Sequence, residues 1–314
     1  MAIKSLKNLK NLKNKTVWLR VDFNVPTKKG KIIEDYKISD SLATINFLLA
    51  KKCKLIIATH WGEPGGRRVA EYSTKPLAVR LQKLLGKPVK FVPALVGAAV
   101  KAALKDLASG EILFLENLRF APGELSNSQS FAKKLSQGAD LYVNDAFAVS
   151  HRAQASLSAI KKYLPSYAGL LLEQEVMSLS KILRPQPPLV VILGGSKIST
   201  KLPLISRLYK IADSIILGGG LANNFFKFQK FNIGQSIFEA GVDKEIKKFF
   251  KGGRLDPKII LPIDVVVGRK DKNPQVKNLG AIKDKEAILD IGPDSISLFA
   301  TYIKNAKTIV WNGP

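Results

Sequence analysis

The sequence predicts an α/β fold of two lobes, each a parallel sheet wrapped by helices, joined by a hinge helix. Three observations predict it. Short apolar runs rich in Val, Ile and Leu recur along the chain and lack polar alternation, as strands buried on both faces should. Helical patterns lie between these runs, and strand–helix alternation is the pattern of parallel sheets. One interruption, Arg184-Pro185-Gln186-Pro187-Pro188, stops a long amphipathic stretch, and strand-type sequence restarts at once after it.

Strands are predicted over 17–25, 55–59, 112–115, 141–143, 189–193, 215–217, 259–267, 287–291 and 308–311. Helices are predicted over 39–51, 76–85, 94–107, 128–137, 171–183, 199–211, 221–229 and 294–304. Leu6, Leu9 and Leu12 in a lysine-rich start predict a short lead-in helix. The expected division is a first lobe over 1–168, a hinge helix with its proline segment over 169–187, and a second lobe over 188–314. Each lobe is expected to be Rossmann-like.

Charge narrows the partners. Fifty basic residues face 25 acidic ones, a formal charge of +25 that favours anionic ligands. The lysines are scattered, as on a solvated surface. No basic stripe with interleaved aromatics occurs, so no nucleic-acid role is expected. The single cysteine, Cys53, excludes an internal disulfide. Its neighbours Leu55-Ile56-Ile57 predict a buried thiol, in keeping with a reducing cytoplasm. No apolar run approaches the ~18 residues that span a bilayer. A cytoplasmic monomer with no membrane partner is expected.

Ligands of open parallel sheets bind beyond the carboxyl ends of the strands. Those ends carry Asp22 and Asn24, then His60, then Arg119, then His151 and Arg152. Both histidines of the chain fall there. Arginine forks grip phosphate or carboxylate in bidentate geometry. No nucleophile–base set and no Cys/His metal spacing stands out, so an anion site without a protein-held metal is expected. In the second lobe, Gly194-Gly195-Ser196-Lys197 follows a strand and precedes a helix. Lys197 and Lys201 share one helix face, and Gly218-Gly219-Gly220 lies at another strand–helix junction. Glycines there let a phosphate approach backbone and a helix N-terminus. They also permit tight helix–sheet packing, and both readings stand.

With those residues in place the chain resembles phosphoglycerate kinases along its whole length. The resemblance is carried by Arg20-Val21-Asp22-Phe23-Asn24-Val25-Pro26, Leu115-Glu116-Asn117-Leu118-Arg119-Phe120, Asn144-Asp145-Ala146-Phe147, His151-Arg152, the stretch 194–201, Gly218-Gly219-Gly220 and Trp311-Asn312-Gly313-Pro314. It implies phosphoryl transfer between 1,3-bisphosphoglycerate and ADP, giving 3-phosphoglycerate and ATP, with Mg2+ carried by the nucleotide. Phosphoglycerate would be held by Asp22, Phe23, Asn24, Lys37, His60, Trp61, Gly62, Glu63, Arg119 and Arg152. Nucleotide would be held by Gly194, Gly195, Lys197, Lys201, Gly219, Gly220, Gly292 and Asn312. Lys37 and Lys197 would be the catalytic cations.

Three departures from the family pattern bear on that expectation. Lys37 stands where the family has a catalytic arginine, which keeps the charge and loses the planar fork. Glu63 stands where the family has an arginine, in His60-Trp61-Gly62-Glu63-Pro64. Arg67 or Arg68 is expected to replace it. The sequence ends at Pro314, where the family pattern continues. The chain is therefore expected to leave apolar surface exposed near 308–311, to bind nucleotide weakly and to turn over slowly. A catalytically weakened relative serving as a ligand-binding or regulatory protein is the alternative.

Overall fold

The computed structural model describes residues 3–28, 31–269 and 272–313. The chain forms two compact units, Met1–Leu179 and Ser180–Pro314.

The first unit is built on a six-stranded parallel sheet: β1 (Thr16–Arg20), β2 (Lys54–Ala58), β3 (Val89–Val92), β4 (Ile112–Leu115), β5 (Leu141–Asn144) and β6 (Ser166–Ala168). The spatial order is β3-β4-β2-β1-β5-β6. The helices of this unit include α1 (Tyr36–Asp40), α2 (Leu42–Ala50), α3 (Lys75–Leu85), α4 (Ala98–Lys105), α5 (Gln129–Leu135) and α6 (Leu170–Ser180).

The unbroken apolar runs have a direct cause. Val17, Leu19, Leu55, Ile57, Ile112, Phe114 and Val143 pack into a core on one face of the sheet. Trp18, Ile56, Leu113, Leu115 and Tyr142 pack into another on the opposite face. Both faces are dry, so no position can alternate to polar. Each fully buried Leu or Ile contributes roughly 2 kcal/mol.

Cys53 is buried, and its Sγ donates to the Leu12 carbonyl over 3.3 Å. Burial pushes its thiol up to about 11. The lead-in helix reduces to one 3-10 turn, Leu6–Asn8, capped by the Ser5 side chain. A bridge from Ser5 to Ala168 ties this start to the sheet edge, and the core takes Leu6 and Leu12 as anchors. The helix predicted over 39–51 splits at Ser41 into α1 and α2. Strands β3 and β6 were not legible as runs, because both mix polar and apolar residues.

The second unit has a four-stranded parallel sheet of β7 (Leu189–Leu193), β8 (Ser214–Leu217), β9 (Ile259–Ile260) and, from further along, Thr308–Asn312. It also has an antiparallel sheet of β10 (Asp264–Arg269), β11 (Lys272–Asn278) and β12 (Ala287–Ile291), with β10 central. The strand Thr308–Asn312 is β13 and pairs with β7 at the sheet edge. Helices α7 (Ile198–Leu208), α8 (Gly219–Phe228) and α9 (Pro293–Asn305) follow strands β7, β8 and β12.

The run 259–267 is two strands in two sheets. Pro262 lies between them and cannot donate to a ladder. The run 287–291 belongs to the antiparallel sheet, so this unit adds antiparallel pairing to the parallel sheet expected of it. Ile309 and Trp311 on β13 are exposed, as anticipated for that stretch. Pro314, the last residue of the Trp311-Asn312-Gly313-Pro314 motif, lies outside the described residues.

Candidate functional site

In the first unit the loops after β1, β2 and β4 are tied into one body. The Asn117 Oδ1 accepts from the backbone N–H groups of Trp61 at 3.2 Å and Arg119 at 3.0 Å. Its Nδ2 donates to the carbonyls of Trp61 at 2.7 Å and Tyr72 at 2.9 Å. Asn24 Oδ1 accepts from the Gly62 N–H at 2.9 Å. Gly62 has φ +61°, and a Cβ there would collide with the Tyr72 ring. Only glycine fits.

This frame holds Arg119, whose side chain is 1% exposed. Its Nη1 donates to the Gly62 carbonyl at 2.7 Å and lies 2.5 Å from Glu63 Oε1. The same Glu63 oxygen is 3.6 Å from Nη1 of Arg152. Nε and Nη2 of Arg119 are buried and have no acceptor among the described residues. Buried donors are nearly always satisfied, so two unmet ones on a fixed guanidinium mark a place for an anion.

Lys37, on α1, places Nζ 3.1 Å from Asp22 Oδ2. Asp22 Oδ1 accepts the Asn24 N–H at 3.2 Å. Beneath them lies Arg20, fully buried. It donates from Nε to Ser156 Oγ at 3.0 Å and from Nη2 to His60 Nδ1 at 3.1 Å. Ser156 in turn donates to the buried Glu124 carboxylate at 2.6 Å. Burial and the neighbouring cations Arg20, Arg119, Arg152 and Lys37 hold the His60 imidazole far below its ordinary pKa. His60 is therefore neutral, with its proton on Nε2 and Nδ1 accepting from Arg20. Its 3.8 Å approach to Asp22 is not an ion pair.

The structure thus brings Asp22, Asn24, Lys37, His60, Gly62, Glu63, Arg119 and Arg152 into one connected cluster. Phe23 and Trp61 belong to its scaffold. The Phe23 ring stacks on Phe114, and the Trp61 indole donates to the Val25 carbonyl at 3.0 Å. His151 lies exposed in a turn and makes no hydrogen bond among the described residues. Arg67 is exposed and makes no ion pair among the described residues, while Arg68 lies 3.8 Å from Glu116.

Sequence reasoning missed Arg20, Asn117, Glu124 and Ser156. A charged residue closing an otherwise apolar strand was the available signal for Arg20. Glu124 and Ser156 have no local signal, because their partners are distant in sequence.

In the second unit the two glycine runs face each other. Gly220 approaches so closely that a Cβ would lie 3.0 Å from the Gly195 carbonyl oxygen and 3.0 Å from Ser196 Cα. Tight packing is therefore one role of these glycines. The other is access: Gly219 and Gly220 also line a pocket of about 200 Å³ with Asn223, Phe226, Ile237 and Asp290. Lys197 occupies the N-cap of α7, where unpaired N–H groups favour negative charge. Glu239 already accepts from the Ser199 N–H there at 2.9 Å.

Lys201 Nζ donates to Asn312 Oδ1, and the Gly194 N–H donates to the Asn312 carbonyl at 3.1 Å. Gly292 follows Ile291, which lines the pocket. It packs on the Asp264 carboxylate, which accepts from the N–H groups of Asp294 at 3.1 Å and Ser295 at 2.7 Å at the start of α9.

Parallel sheets carrying arginine, lysine and glycine-rich junctions at their strand ends define an α/β protein with candidate anion sites. The family model described as Phosphoglycerate kinase matches residues 6–314. The chain belongs to that family, and its relatives are kinases. It is 41% identical over 308 residues to the phosphoglycerate kinase of Pelotomaculum thermopropionicum, covering 96% of this chain and 78% of the relative. It is 42% identical to that of Geotalea uraniireducens, covering 100% and 80%. The solved phosphoglycerate kinase of Coxiella burnetii matches with a TM-score of 0.84 at 38% identity, covering 100% of this chain and 80% of that one. The Pyrococcus horikoshii enzyme matches with a TM-score of 0.84 at 30% identity, covering 99% and 81%.

Proposed function

We propose that the chain transfers a phosphoryl group between 1,3-bisphosphoglycerate and ADP, reversibly giving 3-phosphoglycerate and ATP. The first unit takes the phosphoglycerate and the second takes the nucleotide as its magnesium complex. The observation that carries this is Arg119, a fixed, buried guanidinium with two N–H donors awaiting an acceptor. A phosphate offers several oxygens to such a fork.

Each side chain then has a role in positioning or charge stabilisation, which is most of what phosphoryl transfer asks of a protein. Arg119 and Arg152 hold the anion. Asn24 fixes the Gly62 loop that positions Arg119. Lys37, oriented by Asp22, supplies positive charge. Lys197 meets the transferred phosphoryl group, and Lys201, oriented by Asn312, meets the nucleotide phosphates. The leaving carboxylate of an acyl phosphate needs no general base at neutral pH, in keeping with the neutral His60. The segment 169–187 serves as the hinge that lets both ligands react away from water.

Formation of ATP from 1,3-bisphosphoglycerate tests the assignment. Arg119→Ala and Lys197→Ala should each lower kcat/KM by roughly 10²–10³-fold. Retained activity in both variants would remove it. A second reading, a weakened relative that binds without efficient turnover, is favoured by Glu63 sitting on Arg119. Tight binding of both ligands without ATP formation would select it.

A further inference from the structure

We infer that Glu63 is a resident anion of the arginine site: its carboxylate occupies Arg119 and Arg152 in the absence of ligand, and an incoming phosphate must displace it. The inference rests on the proposed function for the identity of the ligand, though not for the displacement itself.

Three observations carry it. The first is the asymmetry of the pair: the Arg119 side chain is 1% exposed and that of Glu63 is 71% exposed. The guanidinium is fixed, and the carboxylate sits at the mouth on a side chain that can swing into solvent. The second is the backbone beside it. Gly62 donates its N–H to Asn24 and accepts from Arg119 at its carbonyl. The residue preceding Glu63 is therefore clamped on both sides, which delivers the carboxylate to Arg119 by design of the loop.

The third observation is that the occupancy is incomplete. Glu63 meets Nη1 of Arg119, while Nε and Nη2 remain without an acceptor. A carboxylate held this way balances the charge and leaves two donors unmet. A tetrahedral phosphate can supply oxygens to all of them, so it gains contacts that Glu63 cannot make. A small monoanion such as acetate offers nothing better than the resident group. Glu63 thus raises the threshold for occupancy by every anion alike, at a cost in apparent affinity, and a phosphate clears it through the contacts it gains at the unmet donors. The cost follows the competition rule, since binding is weakened by the fraction of protein already occupied.

Calorimetric titration with 3-phosphoglycerate, inorganic phosphate and acetate tests this on the wild type, Glu63→Gln and Glu63→Ala. Both variants change an exposed side chain, and their thermal midpoints verify folding. Both should bind 3-phosphoglycerate and inorganic phosphate roughly three- to five-fold more tightly than the wild type, the upper range for an ion pair with one exposed partner. Acetate should gain by the same factor, because competition with Glu63 weakens every ligand alike. Unchanged or weaker phosphate binding in both variants would overturn the inference and make Glu63 a positioning residue for Arg119. If no form binds 3-phosphoglycerate while the variants bind inorganic phosphate more tightly, the resident anion stands and the phosphoglycerate assignment falls.

Discussion

Arg20 donates from Nη2 to Nδ1 of His60 over 3.1 Å. A buried, permanently charged donor on that nitrogen excludes protonation there. Burial is the larger cause of the depressed imidazole pKa, with the Arg20 charge next. His60 should show no titration between about pH 5 and 8 in ring NMR spectra, against an ordinary pKa of about 6.5. A base depressed by folding costs stability as pH falls below its unfolded value, because only the unfolded chain then takes up the proton. His60→Gln should therefore lose less stability than the wild type on going below pH ~6.5. A normal titration curve for His60 would contradict the assigned hydrogen bond.

Lys37 bears on turnover. Its ammonium is a point charge 3.1 Å from Asp22, and arginine at the same place could hold Asp22 and a phosphate together. Lys37→Met should lower kcat/KM by roughly a hundred-fold. Lys37→Arg should raise it above the wild type. Loss of activity in the arginine variant would show that the surrounding cluster has adapted to lysine.

Gly62 tests the frame. Alanine there must hold φ near +61° and push against the Tyr72 ring. The combined strain should destabilise the protein by roughly 2–4 kcal/mol. Urea unfolding measures it, and a loss below ~0.5 kcal/mol, the scale of an ordinary surface substitution, would refute the close approach.

Asp145 gives a pH dependence of opposite sign. Its Oδ1 accepts from the N–H groups of Leu171 and Leu172, while Oδ2 is buried without a partner. Burial pushes the carboxyl up to about 6, and these hydrogen bonds only partly offset it. An acid raised by folding stabilises the native state when protonated. That contribution is full below about pH 4 and is lost as pH rises through about 6, a swing on the order of 3 kcal/mol. Asp145→Asn keeps an acceptor for the N–H groups and should flatten the stability profile over this window. Parallel profiles for the two proteins would refute the raised value.

How far the sequence spoke for the structure depended on the distance between partners. Val17 to Arg20 read as a buried strand because each residue reports its own burial. Asp22, Asn24, His60 and Arg119 read as site residues because each closes a strand. Pro262 shows the limit: one apolar run hid a change of sheet, and only the missing N–H hinted at it. Strand β11 was hidden for a related reason, since it lies at a sheet edge and carries Pro274, polar residues and an exposed Val276. The ion pair of Glu63 with Arg119 was out of reach. The sequence showed an acid in a basic site, and only the geometry showed where its carboxylate goes.

The network beneath the site has a consequence for synthesis of the chain. Arg20 and Ser156 are hydrogen-bonded across a separation of 136 residues, and Ser156 is in turn bonded to Glu124. Strands β1, β2, β3 and β4 are all made before residue 116, so most of the sheet could pair early on the ribosome. Until Glu124 and Ser156 emerge, however, that sheet would enclose a guanidinium without its counter-charge, which is strongly unfavourable. Commitment of the first unit is therefore delayed until nearly the whole unit has been translated, and the earliest residues of the site wait for the latest.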